Sequence, residues 1–248
     1  MSQTILITGA TAGFGRACAR HFAARNWQLI LTGRRTERLQ ALRDELGSAV
    51  SAILTLDVRN RQQVFDLLTP LPPVDVLLNN AGLALGLEPA WEVNPDDWDT
   101  MIDTNIKGLT YCTRALLPGM VERNHGHIVN IGSTAGSWPY PGGNVYGGTK
   151  AFVQQFSRNL RADLHGSQVR VTCIAPGMAE SEFSNVRFKG DAEQAATVYQ
   201  GTQPLQPENI AEMVYWVVNQ PAHVNINTLE VMPVCQSWNA LAVHRGPR

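Results

Sequence analysis

Short apolar runs alternate along the chain with longer segments in which apolar residues recur every three or four positions. A short apolar run that ends at a turn residue is typical of a buried β-strand, and the longer spacing is typical of an α-helix packed on one side. The predicted strands are residues 4–8, 27–31, 51–56, 74–78, 127–131, 169–174 and 227–231. The predicted helices are residues 13–25, 36–46, 59–68, 97–123, 144–165 and 207–219, of which the second begins with Thr36 as its cap and ends at Gly47.

The regular alternation of strand and helix predicts an α/β fold, in which a doubly wound parallel sheet of about seven strands is covered by helices on both faces. The strands are apolar almost without interruption, as expected when both faces of a sheet are buried. The pattern predicts a single domain over residues 1–248. Residues 176–206 break it with Gly, Pro, Ser and charged residues, and so long a loop in a compact domain is predicted to be functional.

The first predicted strand leads into a glycine-rich turn, and the first predicted helix follows directly. The turn consists of Gly9, Ala10, Thr11, Ala12, Gly13, Phe14 and Gly15. Glycines at this place let the backbone turn sharply, approach a pyrophosphate and pack the helix against the strand, while the helix N-terminus directs free N–H groups at the phosphate. A glycine-rich turn without a ligand is the alternative, but its place between the first strand and the first helix favours a dinucleotide.

The residues after the second predicted strand indicate which dinucleotide is bound. An acidic residue there would hydrogen-bond the ribose 2′-hydroxyl of NAD, but this chain has Arg34 and Arg35. Guanidinium groups from Arg34 and from Arg16, which follows the last glycine, suit a 2′-phosphate. We therefore predict NADP as the cofactor, with Arg35 either at the same phosphate or at a solvated surface position.

Tyr146 and Lys150 are four residues apart in a predicted helix, a spacing that puts both side chains on one face. A free tyrosine has a pKa of about 10 and is a poor base at neutral pH, but a neighbouring ammonium lowers that pKa. Ser133 follows the strand 127–131, where a hydroxyl can hold a reacting oxygen by a hydrogen bond. With the dinucleotide turn, these side chains indicate hydride transfer in which Tyr146 carries the proton.

The sequence resembles the classical short-chain dehydrogenases/reductases. After the glycine-rich turn, the matching elements are Leu56-Asp57-Val58, Asn79-Asn80-Ala81-Gly82, Asn105, Ser133, Tyr146 with Lys150, and Pro176-Gly177. The resemblance implies a Rossmann-type fold in which Tyr146 is the general acid/base, Ser133 orients the substrate oxygen, Lys150 binds the nicotinamide ribose and Asn105 holds a water of the proton relay. It also implies that the cofactor is lined by Asp57, Val58, Asn80, Ala81, Gly82, Pro176 and Gly177.

Several of these residues have a structural alternative. Asn80 and Asn105 are also explained as turn or helix-packing residues with satisfied amides, and Asp57 as the cap of the following helix. The chain departs from the family where a threonine usually follows Pro-Gly, and Ser181 supplies the nearest hydroxyl. The loop between Ser133 and Tyr146 carries three residues that either wall a substrate pocket or pack the loop, namely Trp138, Tyr140 and Pro141.

A narrower resemblance concerns the C-terminal third. Residues 181–190, residues 221–230 and the tail 243–245 are similar to the NADP-dependent 3-hydroxy acid dehydrogenases. That group oxidises serine and L-allo-threonine at the β-carbon and reduces malonic semialdehyde to 3-hydroxypropionate, which implies small 3-hydroxy acids as substrates. Arg187 would bind their carboxylate, unless it is a surface arginine paired with Glu182 or Asp191. A carbonyl reductase for another ketone and a cofactor-binding regulator without turnover remain open.

Composition and charge narrow the possible partners. The net charge is −1, with 17 Arg, 3 Lys and no run of five like charges, which argues against a nucleic-acid surface. No apolar run is long enough for a membrane span and no signal peptide is recognised, so a cytoplasmic location is expected. The four cysteines are expected to be buried thiols. His125 and His127 are expected in an exposed turn, so no metal site is predicted there. The resemblance implies a homodimer or homotetramer formed through helices 97–123 and 144–165.

Overall fold

The structure is a computed structural model that describes residues 3–238. Residues 1–2 and 239–248 lie outside the described range, and with them the tail 243–245 that contributes to the narrower resemblance. Within the described range, no helix is long and apolar enough to cross a membrane.

One parallel sheet organises the described part of the chain. Its strands are β1 (Thr4–Ile7), β2 (Gln28–Gly33), β3 (Val50–Thr55), β4 (Val76–Asn79), β5 (Gly126–Ile131), β6 (Val169–Pro176) and β7 (Thr228–Val231). They lie in the order β3-β2-β1-β4-β5-β6-β7 and all pair in parallel. The strand order reverses between β1 and β4, which confirms the predicted doubly wound sheet and marks the carboxyl edge where ligands bind in such folds.

Helices cover both faces of the sheet. They are α1 (Gly13–Ala23), α2 (Thr36–Leu46), α3 (Arg61–Leu68), α4 (Pro95–Ile102), α5 (Leu109–Glu122), α6 (Asn144–Asp163), α7 (Glu182–Arg187), α8 (Ala192–Thr197) and α9 (Pro207–Val218). One core lies between the sheet and α1, α2 and α9, and another between the sheet and α3, α5 and α6.

Alternate residues of an inner strand point into opposite cores, which explains why the strands are apolar without interruption. Ile5 and Ile7 of β1 pack into the core with α1, whereas Leu6 between them packs into the core with α3. All three side chains are fully buried. Burial of each such side chain stabilises the fold by about 1.5–3 kcal/mol. This burial fixes the helices on both faces of the sheet, below its carboxyl edge.

The predicted helix 97–123 is divided in the structure. Between α4 and α5, Asp103–Gly108 form a π-helical turn. A π turn interrupts the 3.6-residue period on which the prediction rests, and such turns are frequent at functional sites. This one carries Asn105.

Residues 176–206 contain α7 and α8, although the sequence predicts only a loop there. Both helices are short and are capped by side chains, Ser181 accepting from the Phe183 N–H and Asp191 accepting from the Gln194 N–H. The predicted cap at Thr36 is wrong: Thr36 is the first helical residue, and its hydroxyl bonds that of Thr55 at 2.8 Å.

Two further predictions about buried residues need correction. Cys18, Cys112 and Cys173 are buried thiols as predicted, but Cys235 is exposed. His127 is buried in β5 rather than exposed in a turn, because the strand begins at Gly126; its Nε2 and the Thr172 hydroxyl lie 2.8 Å apart. Among residues 3–238, no three metal-binding side chains cluster.

Candidate active site

A cavity of about 1110 Å³ opens at the carboxyl edge of the sheet. It is bounded by the glycine-rich turn, the ends of the inner strands, the start of α6 and one side of α7. The sequence-predicted residues that line it are Gly9, Thr11, Ala12, Gly13, Phe14, Arg34, Arg35, Asp57, Val58, Asn80, Ala81, Gly82, Ser133, Tyr146, Lys150, Pro176, Gly177 and Arg187. Two others, Gly15 and Asn105, lie behind this lining.

The glycine-rich turn has the geometry that a phosphate cradle needs. Gly9 and Gly13 have φ angles of 66° and 50°, a region that other residues disfavour. A Cβ on Gly15 would lie 2.6 Å from Asn80 Nδ2, so only glycine lets α1 pack this closely. Ala12 provides no side-chain cap at the start of α1, which leaves the first N–H groups available to an anion. These residues therefore fit a dinucleotide pyrophosphate.

Asn80 supports the turn from the neighbouring strand. Its Nδ2 donates to the Thr8 carbonyl at 2.8 Å and to the Gly9 carbonyl at 3.1 Å. The backbone N–H groups of Asn80 and Ala81 both donate to the Thr8 hydroxyl at 3.0 Å. The satisfied-amide alternative for Asn80 is thus observed, although the residue also lines the cavity.

The two arginines predicted to converge on a 2′-phosphate, Arg34 after β2 and Arg16 in α1, do not come together at the cavity. Arg34 is exposed at the cavity, and its guanidinium makes no hydrogen bond or ion pair with any side chain in residues 3–238. Arg16 turns away instead and pairs with Glu45 at 3.5 Å. Arg35 borders the cavity, and its Nη2 and Nε donate to the Thr11 hydroxyl at 2.8 and 3.2 Å. Arg34 and Arg35 are thus the cations that border the cavity here.

Asp57 lies at the same end of the cavity, beside Val58. Its carboxylate accepts from the Arg59 guanidinium, with a shortest N–O distance of 2.6 Å. Hydrogen bonding from Arg59 holds the pKa of Asp57 below its ordinary value, although burial opposes this. The capping alternative is wrong, since Asn60 caps α3. Asp57 is therefore a fixed, ionised carboxylate facing the cavity.

Tyr146 and Lys150 lie on the same face of α6, as their spacing predicts. Lys150 Nζ is 5.9 Å from the centre of the Tyr146 ring and donates to the Ile131 carbonyl at 2.8 Å. Ser133 lies just beyond β5, where its hydroxyl accepts from the Ala135 N–H at 3.1 Å and is close enough to Tyr146 to act on its pKa. Tyr146 and Lys150 are only 8% and 6% exposed. Water screens charges poorly at such a point, so each electrostatic contact there is strong.

The pKa of Tyr146 is set by more groups than the sequence suggests. Burial raises the pKa of Tyr146 to about 12, while the nearby Ser133 hydroxyl and the charge of Arg187 act in the opposite direction. Burial also lowers the pKa of Lys150 to about 8. Arg187 is thus a second cation beside the phenol, at 5.2 Å from its ring centre, in addition to Lys150 at 5.9 Å.

Asn105 connects the π-helical turn to both neighbouring elements. Its Nδ2 donates to the Leu83 carbonyl at 2.8 Å and to the Thr149 hydroxyl at 3.0 Å, and its Oδ1 accepts from the Leu83 N–H at 2.9 Å. Thr149 in turn donates to the Tyr146 carbonyl at 2.8 Å. Asn105 therefore holds the loop after β4 against the helix that carries Tyr146, as the helix-packing alternative proposes.

Arg187, the last residue of α7, faces the buried tyrosine. Its guanidinium carbon lies 5.2 Å from the Tyr146 ring centre and 5.5 Å from that of Phe183. Its Nη2 donates to the Tyr140 hydroxyl at 2.6 Å. Its Nε is buried without a hydrogen-bond partner among the described residues. A buried donor left unpaired costs free energy and favours an anionic ligand at this place.

The predicted alternative partners of Arg187 are engaged elsewhere. Glu182 accepts from Arg35 and Arg38, and Asp191 caps α8. Arg187 is thus not a surface arginine paired with either acid, and the interpretation that places it at the cavity is the one the geometry supports.

Several lining residues complete the cavity. Trp138, Tyr140 and Pro141 all lie in the wall, so the pocket-wall interpretation of this loop is correct. Phe183, which sequence analysis missed, has its ring centre 5.7 Å from that of Tyr146. Its signal is a position four residues before Arg187, and this spacing has meaning only once α7 is known to be a helix. The segment after β7 also contributes residues that the sequence shows only as an irregular tail, namely Met232, Gln236, Ser237 and Trp238.

A doubly wound sheet, a glycine-rich first turn and a buried Tyr–Lys pair beside Ser133 together define the class of dinucleotide-dependent oxidoreductases. A family model described as short chain dehydrogenase matches residues 3–192. The chain belongs to the short-chain dehydrogenase family.

Individual relatives extend over the full chain. The NADP-dependent 3-hydroxy acid dehydrogenase YdfG of Escherichia coli (strain K12) is 63% identical, over 97% of this chain and 99% of the relative. Sulfoacetaldehyde reductase 2 of Chromohalobacter salexigens is 55% identical, over 99% of this chain and 100% of the relative. A closed form of serine dehydrogenase complexed with NADP+ is 62% identical and superposes with a TM-score of 0.97, over 98% of this chain and 100% of that one.

Proposed function

We propose that this protein is an NADP-dependent oxidoreductase acting at the hydroxyl-bearing carbon of small 3-hydroxy acids, such as serine, L-allo-threonine and 3-hydroxypropionate, with malonic semialdehyde as a carbonyl substrate. The observation that carries the proposal is the guanidinium group of Arg187, 5.2 Å from the Tyr146 ring centre. A cation so close to a phenol suits a substrate whose carboxylate lies a short distance from the reacting carbon. The relatives described as 3-hydroxy acid and serine dehydrogenases support the same substrate class.

Tyr146 is the proposed general acid/base. It gives a proton to the substrate oxygen in reduction and takes one from the substrate hydroxyl in oxidation. Ser133, which lines the same cavity as Tyr146, is proposed to hold the same oxygen in line with the phenol. The dinucleotide, when bound, supplies or accepts the hydride at the substrate carbon.

Lys150 is proposed to bind the nicotinamide ribose and to tune Tyr146, and Asn105 to hold a water of the proton relay. Gly82 supports this arrangement: a Cβ there would lie 3.2 Å from Asn105 Oδ1 and 3.5 Å from Lys150 Nζ. Both polar atoms therefore face one small space that any larger residue at position 82 would fill. The direct bonds of Asn105 to Leu83 and Thr149 give it a positioning role in addition.

The preference for NADP over NAD is assigned to the arginines at the end of β2. Arg34 has no competing side-chain partner among the described residues, and Arg35 is already fixed beside the glycine-rich turn by Thr11. Both guanidinium groups suit a 2′-phosphate. The remaining proposed cofactor contacts are Gly9, Thr11, Ala12, Gly13, Phe14, Gly15, Asp57, Val58, Asn80, Ala81, Gly82, Tyr146, Lys150, Pro176 and Gly177.

A second candidate substrate class is the small sulfonated aldehydes. Sulfoacetaldehyde and malonic semialdehyde each carry an anionic group one methylene away from the aldehyde carbon, so Arg187 could engage either. The 55% identity to a protein described as sulfoacetaldehyde reductase favours this candidate. It differs from the first only in the shape and charge distribution of the anion.

A substrate and cofactor panel tests the proposal. Initial rates are measured for serine and 3-hydroxypropionate with NADP+ or NAD+, and for malonic semialdehyde, sulfoacetaldehyde and propanal with NADPH or NADH. We expect NADP(H) and the anionic substrates to be preferred. Preference for propanal or a larger neutral ketone would instead support a carbonyl reductase, and tight NADPH binding without turnover of any substrate would support a regulator.

The assembly and location are also proposals. Phe152 and Phe156 stack on the outer side of α6 at a centroid distance of 5.7 Å, and Phe152 is 36% exposed. An exposed aromatic on a long helix supports a homodimer or homotetramer formed through α5 and α6. Light scattering with the purified protein tests this, and the cytoplasmic location expected from the sequence is tested by cell fractionation.

A further inference from the structure

Glu182 connects α7 to the arginines at the end of β2. Its carboxylate accepts from Arg38 Nη1 at 2.9 Å and from Arg35 Nη1 at 3.2 Å. Arg35 also donates to Thr11 in the glycine-rich turn. One carboxylate thus joins α7 to the glycine-rich turn and to α2 across the mouth of the cavity.

Glu182 lies in the same short helix as Arg187, so this link also affects where Arg187 lies relative to Tyr146. Glu182 is the first residue of the helix and Arg187 is the last. At the far end, the Gly86 N–H donates to the Arg187 carbonyl at 2.9 Å, and Lys189 pairs with Asp97 at 2.7 Å. The helix is therefore fixed at both ends by contacts with other elements. Along it, Phe183 and Arg187 lie against Tyr146.

A six-residue helix is too short to be stable alone, so its position depends on these tertiary contacts. Its hydroxyl-bearing residue Ser184 adds one more, bonding the Tyr199 hydroxyl at 2.6 Å. Among these contacts within residues 3–238, only that of Glu182 involves a residue of the proposed 2′-phosphate site, namely Arg35.

We propose that Glu182 is a positioning residue that holds α7 closed over the active site through Arg35 and Arg38, and thereby places Arg187 for the anionic substrate. This rests on the proposed function for its substrate, but not for its geometry. Arg35 then serves two purposes, binding the cofactor phosphate and holding the helix that carries the substrate-binding arginine. Cofactor and substrate subsites are linked through this side chain.

The charges around the link are balanced for this double use. Arg34, Arg35 and Arg38 present three cations, against the carboxylate of Glu182 and a phosphate that carries nearly two negative charges. The nearby carboxylate of Asp57 is paired with Arg59. A guanidinium group has five N–H donors, and Arg35 uses only Nη1 for Glu182, so the same side chain has donors left for a phosphate while Arg38 also holds the carboxylate. The link is therefore compatible with bound NADP.

The test compares Glu182→Gln with the wild type and with Glu180→Gln. Glu180 is a matched control two residues away, because its carboxylate accepts from Gln206 and lies outside the link. We expect Glu182→Gln to raise KM for malonic semialdehyde about 3- to 10-fold, as suits a half-exposed carboxylate with two partners, with kcat and the Kd of NADPH changed less than about 2-fold. Glu180→Gln is expected to match the wild type.

A double-mutant cycle with Arg38→Gln identifies the partner. If Arg38 acts through Glu182, the double variant has the same KM as Glu182→Gln alone. Additive effects on KM would overturn the coupling, and an unchanged KM in Glu182→Gln would overturn the proposal as a whole.

Hydrogen exchange provides a measurement that needs no substrate. With NADPH bound, amides of residues 183–190 are expected to exchange faster in Glu182→Gln than in the wild type or in Glu180→Gln. Equal exchange in all three proteins would contradict the proposal even if the enzyme turned over none of the tested acids. Absence of turnover in the wild type, with faster exchange in the variant, would refute the proposed function and leave the link standing.

Discussion

The guanidinium carbon of Arg187 lies 5.2 Å from the ring centre of Tyr146, although the two residues come from different helices. This cation has two effects. It favours the ionised form of the phenol, and it can bind an anionic group on the substrate. The buried phenol and the Nε of Arg187, which has no hydrogen-bond partner in residues 3–238, thus belong to one site. A carboxylate bound there would satisfy the guanidinium and weaken its effect on the pKa of Tyr146.

The first prediction concerns substrate charge. Arg187→Ala should raise KM for serine and malonic semialdehyde by about 100-fold, since a charge-assisted, partly buried hydrogen bond is lost. The rate with propanal should change much less, since a neutral substrate loses only the effect of Arg187 on the pKa of Tyr146. Tyr140→Phe, which keeps the ring and removes only the hydroxyl bonded to Arg187, is the matched variant and should raise KM by a smaller factor. An unchanged KM for the acids in Arg187→Ala would remove Arg187 from the substrate site.

The second prediction concerns cofactor choice. Arg34→Ala should lower kcat/KM for NADPH by 10-fold or more, roughly the value of one charge-assisted contact, and should leave kcat/KM for NADH nearly unchanged. Arg16→Ala is the control, since Arg16 pairs with Glu45 away from the cavity. Equal losses with both cofactors in Arg34→Ala would mean that Arg34 does not recognise the 2′-phosphate.

Most of the strands and helices, and most of the residues that line the cavity, can be predicted from the sequence, and each prediction has a physical reason. The buried strands are apolar without interruption. The first turn requires glycines because Asn80 and the start of α1 pack against it too closely for a Cβ. The tyrosine and lysine come together because four residues make about one helical turn. All of these signals are local in the chain.

The features that the sequence misses depend on tertiary contacts. The helix α7 is too short to show a period and is held by distant partners such as Tyr199. Arg35 rather than Arg16 faces the cavity because Glu45 attracts Arg16 to the surface of α2. The sequence places Lys150 beside Tyr146 because both lie on one helix, whereas no local signal shows that Arg187 reaches Tyr146 from another element.

The third prediction concerns the stability of the cofactor-free protein. Burial lowers the pKa of Lys150 to about 8, from an unfolded value of about 10.4. Between these values the unfolded state binds more protons, so this residue makes the protein more stable as pH rises and less stable as pH falls. Lys150→Met should therefore raise the free energy of unfolding at pH 7 by about 1–3 kcal/mol while activity is lost. Denaturant unfolding at pH 7 and pH 10 should show this gain shrinking at the higher pH; a gain independent of pH would be inconsistent with a buried ammonium.

The fourth prediction concerns acid sensitivity. Burial, with a contribution from Arg170, lowers the pKa of His127 to about 3, against about 6.5 in the unfolded chain. Stability is then fully present above about pH 6.5 and is lost as pH falls toward 3. Between pH 7 and pH 5, His127 should account for a loss of about 2 kcal/mol. His127→Gln, which keeps a polar group near Thr172, should reduce the fall in stability over this interval, and an identical fall in wild type and variant would show that His127 does not titrate.

The central claim is that Tyr146 exchanges a proton with an anionic 3-hydroxy acid or its aldehyde while NADP(H) exchanges the hydride. The most direct measurement is kcat for malonic semialdehyde with NADPH in the wild type and in Tyr146→Phe, together with the Kd of NADPH for both proteins. The account predicts that kcat falls by about 10²–10⁴-fold while Kd stays within about 2-fold. A Tyr146→Phe protein that binds NADPH and retains the wild-type kcat would contradict it.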